Sequence, residues 1–129
     1  MVGADAFNII DQAIRSLDAR LRALANQQPA LQAWVAPTLI NAWANTGAPY
    51  QLAGYWKDPY GTVHLRGRVD TGVTPSDIFV LPAGYRPEAT SSFLLPSTAT
   101  VDVEADGSVR GVTGATFISL DSITFRAFA

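Results

Sequence analysis

The first part of the chain places large apolar residues among polar ones at a regular spacing. These residues are Phe7, Ile10, Ile14, Leu17, Leu21 and Leu24. Their gaps run 3, 4, 3, 4 and 3, which is the heptad spacing of a coiled coil, with Phe7 at position a and Ile10 at position d. Acidic residues precede basic ones at i,i+4 on the opposite side of the helix, as in Asp11 and Arg15. The pattern predicts an amphipathic helix that packs along a narrow apolar seam.

The seam is compatible with two kinds of packing. A helix that packs on its own globular domain usually has a wider apolar face, so the narrow seam favours a coiled coil over a helix docked within the chain. Dimers prefer β-branched residues at a and leucine at d, and Phe7, Leu21 and Ile10 depart from that preference. Ala6 and Ala13 at position g widen the strip, which favours three helices. We therefore predict that the six seam residues trimerise the chain, with help from further contacts.

The character of the chain changes at Pro29. All 8 prolines and 9 of the 10 glycines lie from this residue onward. Proline has no backbone donor and disfavours helical geometry in the preceding residue, so we expect the helix to end before it. The predicted organisation is a coiled-coil helix over residues 1–28, a connector over residues 29–37 and a β-sandwich domain over residues 38–129.

The remainder of the chain consists of short alternating runs separated by turn residues. In the clearest run, residues 62–69, one face carries Val63, Leu65, Gly67 and Val69. This period of two is typical of a half-buried strand. Residues 58–61 and 105–107 have the composition of tight turns. The predicted strands cover residues 39–46, 52–57, 62–69, 78–81, 92–95, 99–104, 108–112, 116–120 and 123–128. Short strands with frequent turns and no second helix predict a mainly β, antiparallel, jelly-roll-like sandwich.

Composition excludes many classes of function. The net charge is −2, whereas a nucleic-acid-binding protein should present a basic patch. There is no cysteine and a single histidine, His64, so disulfides, thiol nucleophiles and multi-histidine metal sites cannot form within one chain. No apolar run approaches the roughly 18 residues of a membrane span, and the N-terminus lacks a signal-peptide pattern. We expect no metal, no cofactor, no nucleic-acid partner and no membrane insertion.

Several segments occur in an order that resembles a known family. They are TLINAWAN (38–45), GYWKD (54–58), GTVHLRG (61–67), IFVLPAGYRP (78–87) and ISLDSITF (118–125). Together they resemble the C-terminal tip domain of bacteriophage minor tail and tail-fibre proteins, including receptor-binding tips. The resemblance covers residues 38–128, and its most specific part is V-x-L-R-G followed by I-F-x-L-P-A-G-Y-R-P.

The resemblance implies a trimeric β-sandwich at the distal end of a virion fibre, acting by binding and continuing upstream into a longer shaft. Its implied partners are other virion tail proteins and a host cell-surface glycan. Two positions depart from the family pattern. Ala42 stands where a glycine is expected, so we expect a local bulge to be lost there. Trp56 stands where an arginine or tyrosine is expected, which adds an aromatic ring to the surface.

Candidate receptor-binding residues combine aromatic rings with polar side chains of one strand face. They are Tyr50, Trp56, Tyr60, His64, Arg66 and Arg68. Aromatic faces stack on sugars, and the cationic residues would contact an anionic sugar or a phosphate. The alternative for the cationic residues is a solvated face or a subunit interface, and for the aromatic residues it is the core or an interface. Tyr85 is expected to pack under its loop with its hydroxyl on the backbone, and Trp34 and Trp43 are assigned to the core or to an interface.

Acidic side chains at 102, 104 and 106 raise the alternative of catalysis. Paired carboxylates hydrolyse glycosides when they face each other across a cleft, but Asp102 and Glu104 share one strand face and Asp106 belongs to a turn. The spacing also lacks a recognised calcium loop. We therefore predict a non-enzymatic trimeric tip that attaches a phage to the bacterial surface. The alternatives are a purely structural virion component and, less favoured, a glycan depolymerase.

Overall fold

The computed structural model of the chain describes residues 3–26, 31–96, 98–114 and 116–128. The chain divides into two compact units, Met1–Ala30 and Leu31–Ala129. The first contains helix α1, Gly3–Asn26. The predicted end of the helix at residue 28, next to Pro29, lies outside the described residues.

Helix α1 has the amphipathic character that the heptad spacing predicts. Asp11 forms an ion pair with Arg15 at 3.1 Å, and Asp18 forms one with Arg22 at 3.0 Å. Both pairs are well exposed, so they stabilise the helix only slightly. All six seam residues are 55–75% exposed in the single chain. The helix therefore carries the predicted apolar seam along one face.

The second unit contains ten short strands within its described residues. They are β1 Ala44–Asn45, β2 Gly54–Lys57, β3 Thr62–Arg66, β4 Arg68–Asp70, β5 Ser76–Val80, β6 Ser91–Leu94, β7 Thr100–Val103, β8 Ser108–Thr113, β9 Phe117–Ser119 and β10 Thr124–Arg126. They form three antiparallel sheets with the orders β1-β4-β9, β10-β3-β2 and β5-β8-β7-β6. The prediction of a mainly β chain with one N-terminal helix and antiparallel sheets is confirmed, and the jelly-roll arrangement stays a prediction.

The core follows the predicted alternation. Val63, Leu65 and Val69 are buried on one face of the predicted run 62–69, and they pack with Phe79 and Ile118. Both predicted turns are present. The amide of Gly61 donates to the carbonyl of Asp58 at 3.1 Å, and residues 105–107 connect β7 to β8 as a hairpin.

The predicted strand 62–69 is divided at Gly67 between two sheets. Gly67 has a φ of 103°, which an L side chain rarely adopts. Its amide donates to Oδ1 of Asp121 at 2.8 Å, and its carbonyl accepts from the amide of Leu120 at 2.7 Å. These bonds replace the regular ladder at this point, so β3 pairs with β2 and β10 while β4 pairs with β1 and β9.

The predicted strand 39–46 is largely wrong. Only its residues Ala44 and Asn45 pair, with Asp70 and Val69 of β4. The backbone is interrupted by left-handed geometry at Asn41 and Ala42, whose φ angles are 54° and 64°. Ala42 thus has the left-handed backbone that glycine favours, although the chain carries alanine there.

Replacing Ala42 by glycine should stabilise the fold. An alanine in left-handed geometry carries steric strain that glycine does not, so we expect the free energy of unfolding to rise by about 1 kcal/mol. Ala44→Gly, in strand β1, is the matched control and should destabilise by about 0.5–1 kcal/mol. Urea denaturation measures both, and equal destabilisation by the two variants would contradict the geometry at residue 42.

Candidate binding surface

Trp56 and His64 lie opposite each other on neighbouring strands. In the antiparallel pair of β2 and β3 they occupy the same register position, so their side chains share a face. Their rings stack with centroids 5.0 Å apart and planes inclined by 17°. The preceding residue, Tyr55, points to the opposite face and is buried in the core. Strand alternation therefore separates a core tyrosine from a partly exposed tryptophan.

The connector brings Trp34 next to this pair. Val35 and Tyr55 exchange two backbone hydrogen bonds, of 2.8 and 3.0 Å, which attach the connector to the edge of β2. The rings of Trp34 and Trp56 pack in an edge-to-face arrangement with their centroids 6.1 Å apart. Trp34 is 39% exposed, so it lies outside the core. By contrast Trp43 is buried, as predicted, and its indole N–H donates to Oγ of Ser76.

Arg66 is stacked on Trp34. Its Cζ atom lies 4.3 Å from the centroid of the Trp34 ring, a cation–π contact. Arg66 is paired in register with Gly54 on β2. A Cβ atom at Gly54 would lie 3.1 Å from Nε of Arg66 and 3.4 Å from the Trp34 ring. The absence of a side chain at Gly54 therefore provides the space in which the stack forms.

Arg68 is held in the same manner by two other rings. Its Cζ atom lies 4.1 Å from the centroid of Tyr50 and 3.5 Å from that of Phe117 on β9. The Nε atoms of Arg66 and Arg68 are buried, and no described residue accepts a hydrogen bond from them. None of the ion pairs among the described residues includes either arginine. Among the described residues, both guanidinium groups are therefore held by ring contacts and not by a carboxylate.

Asp58 orients the His64 ring. Its Oδ1 atom accepts hydrogen bonds from the amides of Tyr60 and Thr62, at 2.9 and 3.0 Å, and its Oδ2 atom lies 2.9 Å from Nε2 of His64. The hydrogen bond with His64, followed by that from Thr62, holds the pKa of the Asp58 carboxyl below its ordinary value of 3.8. Since an ionised carboxylate only accepts, Nε2 carries the proton in this pair.

Asp58→Asn should make stability depend less on pH. The lowered pKa in the folded state means that ionised Asp58 stabilises the fold above its unfolded pKa, and that this contribution is lost as the pH falls through the folded pKa. We expect the variant to melt at a lower temperature than the wild type at neutral pH, and the difference to narrow in strongly acidic buffer. Calorimetric scans across this range measure it. Identical melting temperatures at neutral pH would contradict the role of the carboxylate.

The structure brings together five of the six candidate residues in two clusters. One contains Trp56, His64 and Arg66 with Trp34, and the other contains Tyr50 and Arg68 with Phe117. We call these seven side chains the aromatic–arginine surface. Tyr60, at the tip of the 58–61 turn, is 88% exposed and has no ring contact to either cluster within the described residues.

Two members of the surface were not predicted as binding residues. Trp34 was assigned to the core or an interface, because nothing local indicates that the connector attaches to β2. Phe117 lies in a predicted strand, and only the pairing of β9 with β4 brings it to Arg68. Gly54, directly before the Tyr-Trp pair, is the one local signal that a neighbouring side chain lies close over the backbone.

Tyr85 has a structural environment. Its ring meets the buried Tyr55 edge-on at 5.2 Å, and the ammonium of Lys57 lies 5.1 Å from the ring centroid. The sequence led us to expect a hydrogen bond between its hydroxyl and the backbone. In the structure the hydroxyl instead accepts a hydrogen bond from the Gln32 side chain. Gln32 also accepts from the amide of Lys57 at 2.9 Å. Through Gln32, Tyr85 therefore helps to attach the connector to the β-sheet unit.

The acidic residues considered for catalysis have other partners. Asp102 accepts a hydrogen bond from Oγ of Ser92 at 2.6 Å, and Asp106 accepts one from the amide of Ser108 at 2.9 Å. The Ser108 bond holds the pKa of Asp106 below its ordinary value. Across the part of the chain that the structure describes, no three potential metal-ligating side chains gather into a group. Among those same residues, no helix has the length and apolar character needed to cross a membrane.

No protein-family model and no curated protein sequence matches the chain. Among solved structures, the chain is similar to the receptor binding protein (gp15) of Listeria phage PSA, with a TM-score of 0.67 and 18% sequence identity. The match covers 100% of this chain and 89% of that one. At this identity the likeness is one of fold. The resemblance to phage tail tip domains is thus confirmed at that level: the chain has the fold of a phage receptor-binding protein.

Proposed function

We propose that the chain is the tip of a phage tail fibre or spike, carried on the virion, which attaches to the bacterial surface by binding and without catalysis. The observation that carries this proposal is the fold shared with a phage receptor binding protein over the whole chain. The receptor-binding role belongs to that protein by its name, and the aromatic–arginine surface supports extending it to this chain.

The working unit of this proposal is a homotrimer. The six seam residues, each more than half exposed, form an apolar stripe along about three heptads of helix α1. Heptad spacing makes the seam complementary to itself, so further copies of the same helix are the natural occupants. Three parallel helices would bury these side chains and bring three β-domains together. The fibre would also contact other virion tail proteins.

The proposed ligand is a host cell-surface glycan. The indole of Trp34 and the ring of Tyr50 are partly exposed, and such ring faces suit the C–H surfaces of sugars. Trp56, stacked on a histidine fixed by Asp58, offers a rigid aromatic group with little entropy left to lose on binding. In a trimer, three weak sites on one head raise the effective concentration of the ligand and convert weak contacts into avidity.

Binding of the fluorescently labelled chain to susceptible bacteria tests this proposal. Trp56→Ala should lower cell labelling at least tenfold, because aromatic residues of this kind dominate binding surfaces. Phe128→Ala, which removes an exposed aromatic ring outside the surface, is the matched control and should label cells like the wild type. Absence of labelling on every susceptible host would contradict a receptor role. Virions that carry Trp56→Ala and still adsorb normally would instead favour a purely structural tail component.

A further inference from the structure

We propose that Arg66 and Arg68 form a subsite for an oxyanion, a carboxylate or a phosphate group, borne by the sugar that this surface binds. The inference rests on the proposed function and deepens it from a glycan to an anionic glycan. Two observations support it. Neither arginine has an ion pair among the described residues, and both guanidinium groups stack on aromatic rings.

The two positive charges are not neutralised within the described part of the chain. Acidic residues outnumber basic ones, 11 to 9, yet no described carboxylate lies within ion-pair distance of Arg66 or Arg68. The carboxylate of Asp121 accepts hydrogen bonds from the amide of Gly67, between the two arginines in the chain, and from Oγ of Ser119. Arg66 and Arg68 are half-buried on either side of Gly67, whereas Leu65, Gly67 and Val69 are buried. Two cations that are two residues apart in the chain thus have no carboxylate partner among the described residues.

The guanidinium groups are already fixed in place. Arg66 lies next to the backbone of Gly54 and stacks on the Trp34 ring, and Arg68 contacts the rings of Tyr50 and Phe117. Stacking engages the faces of a guanidinium and not its in-plane N–H groups, and the Nε atoms of both arginines are buried without an acceptor among the described residues. These donors form a fork that matches the oxygens of carboxylates and phosphates. Because the side chains are held before binding, less conformational entropy is lost when the anion arrives.

The same arrangement makes arginine specifically necessary. A lysine at either position would keep the charge but lose the planar contact with the rings and the forked donor geometry. We therefore expect that a positive charge alone, without the guanidinium group, does not bind the anion. Arg126 on β10 is exposed and has no ion pair among the described residues, so it offers a matched arginine outside the subsite.

Nuclear magnetic resonance titration of the full-length ¹⁵N-labelled chain tests the inference, with glucose 1-phosphate, glucuronate and glucose as probes. We expect the Trp34 indole signal and the Nε–H signals of Arg66 and Arg68 to shift with an anionic sugar at concentrations at least tenfold lower than with glucose. Comparison of the first two probes tells a phosphate from a carboxylate. Arg66→Gln, Arg68→Gln and their lysine counterparts should abolish the preference for the anionic sugar, whereas Arg126→Gln should keep it. Unchanged helical and β circular dichroism confirms that each variant is folded.

Equal response to all three sugars, no response to any of them, or a preference for anionic sugars that survives in Arg66→Gln and Arg68→Gln would overturn the inference. Failure of the proposed function has a different signature. In that case the anionic sugars still shift these signals, but the fluorescently labelled chain binds no susceptible cell. Cell labelling that is lost in Trp56→Ala but unchanged in both arginine variants retains the receptor role and removes the anion subsite.

Discussion

Replacement of Gly67 by alanine should lower the free energy of unfolding by about 4 kcal/mol or more, the largest effect of any single substitution considered for the β-domain. Two costs add at this residue. Its φ of 103° lies in a region that strains any L side chain. In addition, a Cβ atom there would lie 2.5 Å from both N and Cα of Ala53. These are backbone atoms of the chain beside β2, so they cannot rotate away as a flexible side chain would.

Gly61→Ala separates the two costs. Gly61 has a similar φ of 86°, but a Cβ atom added there would meet nothing within 4 Å. We expect this control to lose only the backbone strain, about 1 kcal/mol. Urea denaturation followed by circular dichroism measures both variants. Equal losses in Gly67→Ala and Gly61→Ala would contradict the close approach of Gly67 to Ala53, and with it the point at which the chain passes from one sheet to another.

Leu17→Asp should dissociate the proposed trimer. Leu17 occupies a d position near the middle of the seam, so each trimer would contain three aspartates where three leucines are expected to meet. An unpaired charge in such a seam costs several kcal/mol per trimer, which exceeds what a short coiled coil of about three heptads can lose. Multi-angle light scattering should report a trimer for the wild type and a monomer for the variant at micromolar concentration.

Ala19→Asp is the matched control for this substitution. It adds the same charge to the same helix at an f position, on the side away from the seam, so it should remain trimeric. Helix content gives a second measurement, because a helix released from its partners loses stability. If Leu17→Asp kept the helix content and the mass of the wild type, the seam would not be buried between copies.

The sequence was most informative where the pattern is local. Heptad spacing predicted helix α1, and alternation along residues 62–69 correctly separated buried Val63, Leu65 and Val69 from the outward-facing residues. The failures have physical causes that act over longer distances. The division at Gly67 depends on its hydrogen bonds with Asp121 and Leu120, which are remote in sequence.

The binding surface could be predicted only in part for the same reason. Trp56, His64 and Arg66 follow from the alternation of two strands, because residues that alternate along a strand share its face, whereas Arg68 lies beyond the division at Gly67. The contact of Trp34 with Arg66 depends on the connector pairing with β2, and that of Phe117 with Arg68 depends on β9 joining β4. Propensity and periodicity do not encode such pairings between distant segments.

Sedimentation equilibrium of the unmodified chain at micromolar concentration tests the central claim most directly. The claim is that the apolar seam of helix α1 packs against the same seam of two other copies. It predicts a single species with three times the 13.8 kDa mass of the chain. A folded species of 13.8 kDa, with helix α1 intact by circular dichroism, would contradict it.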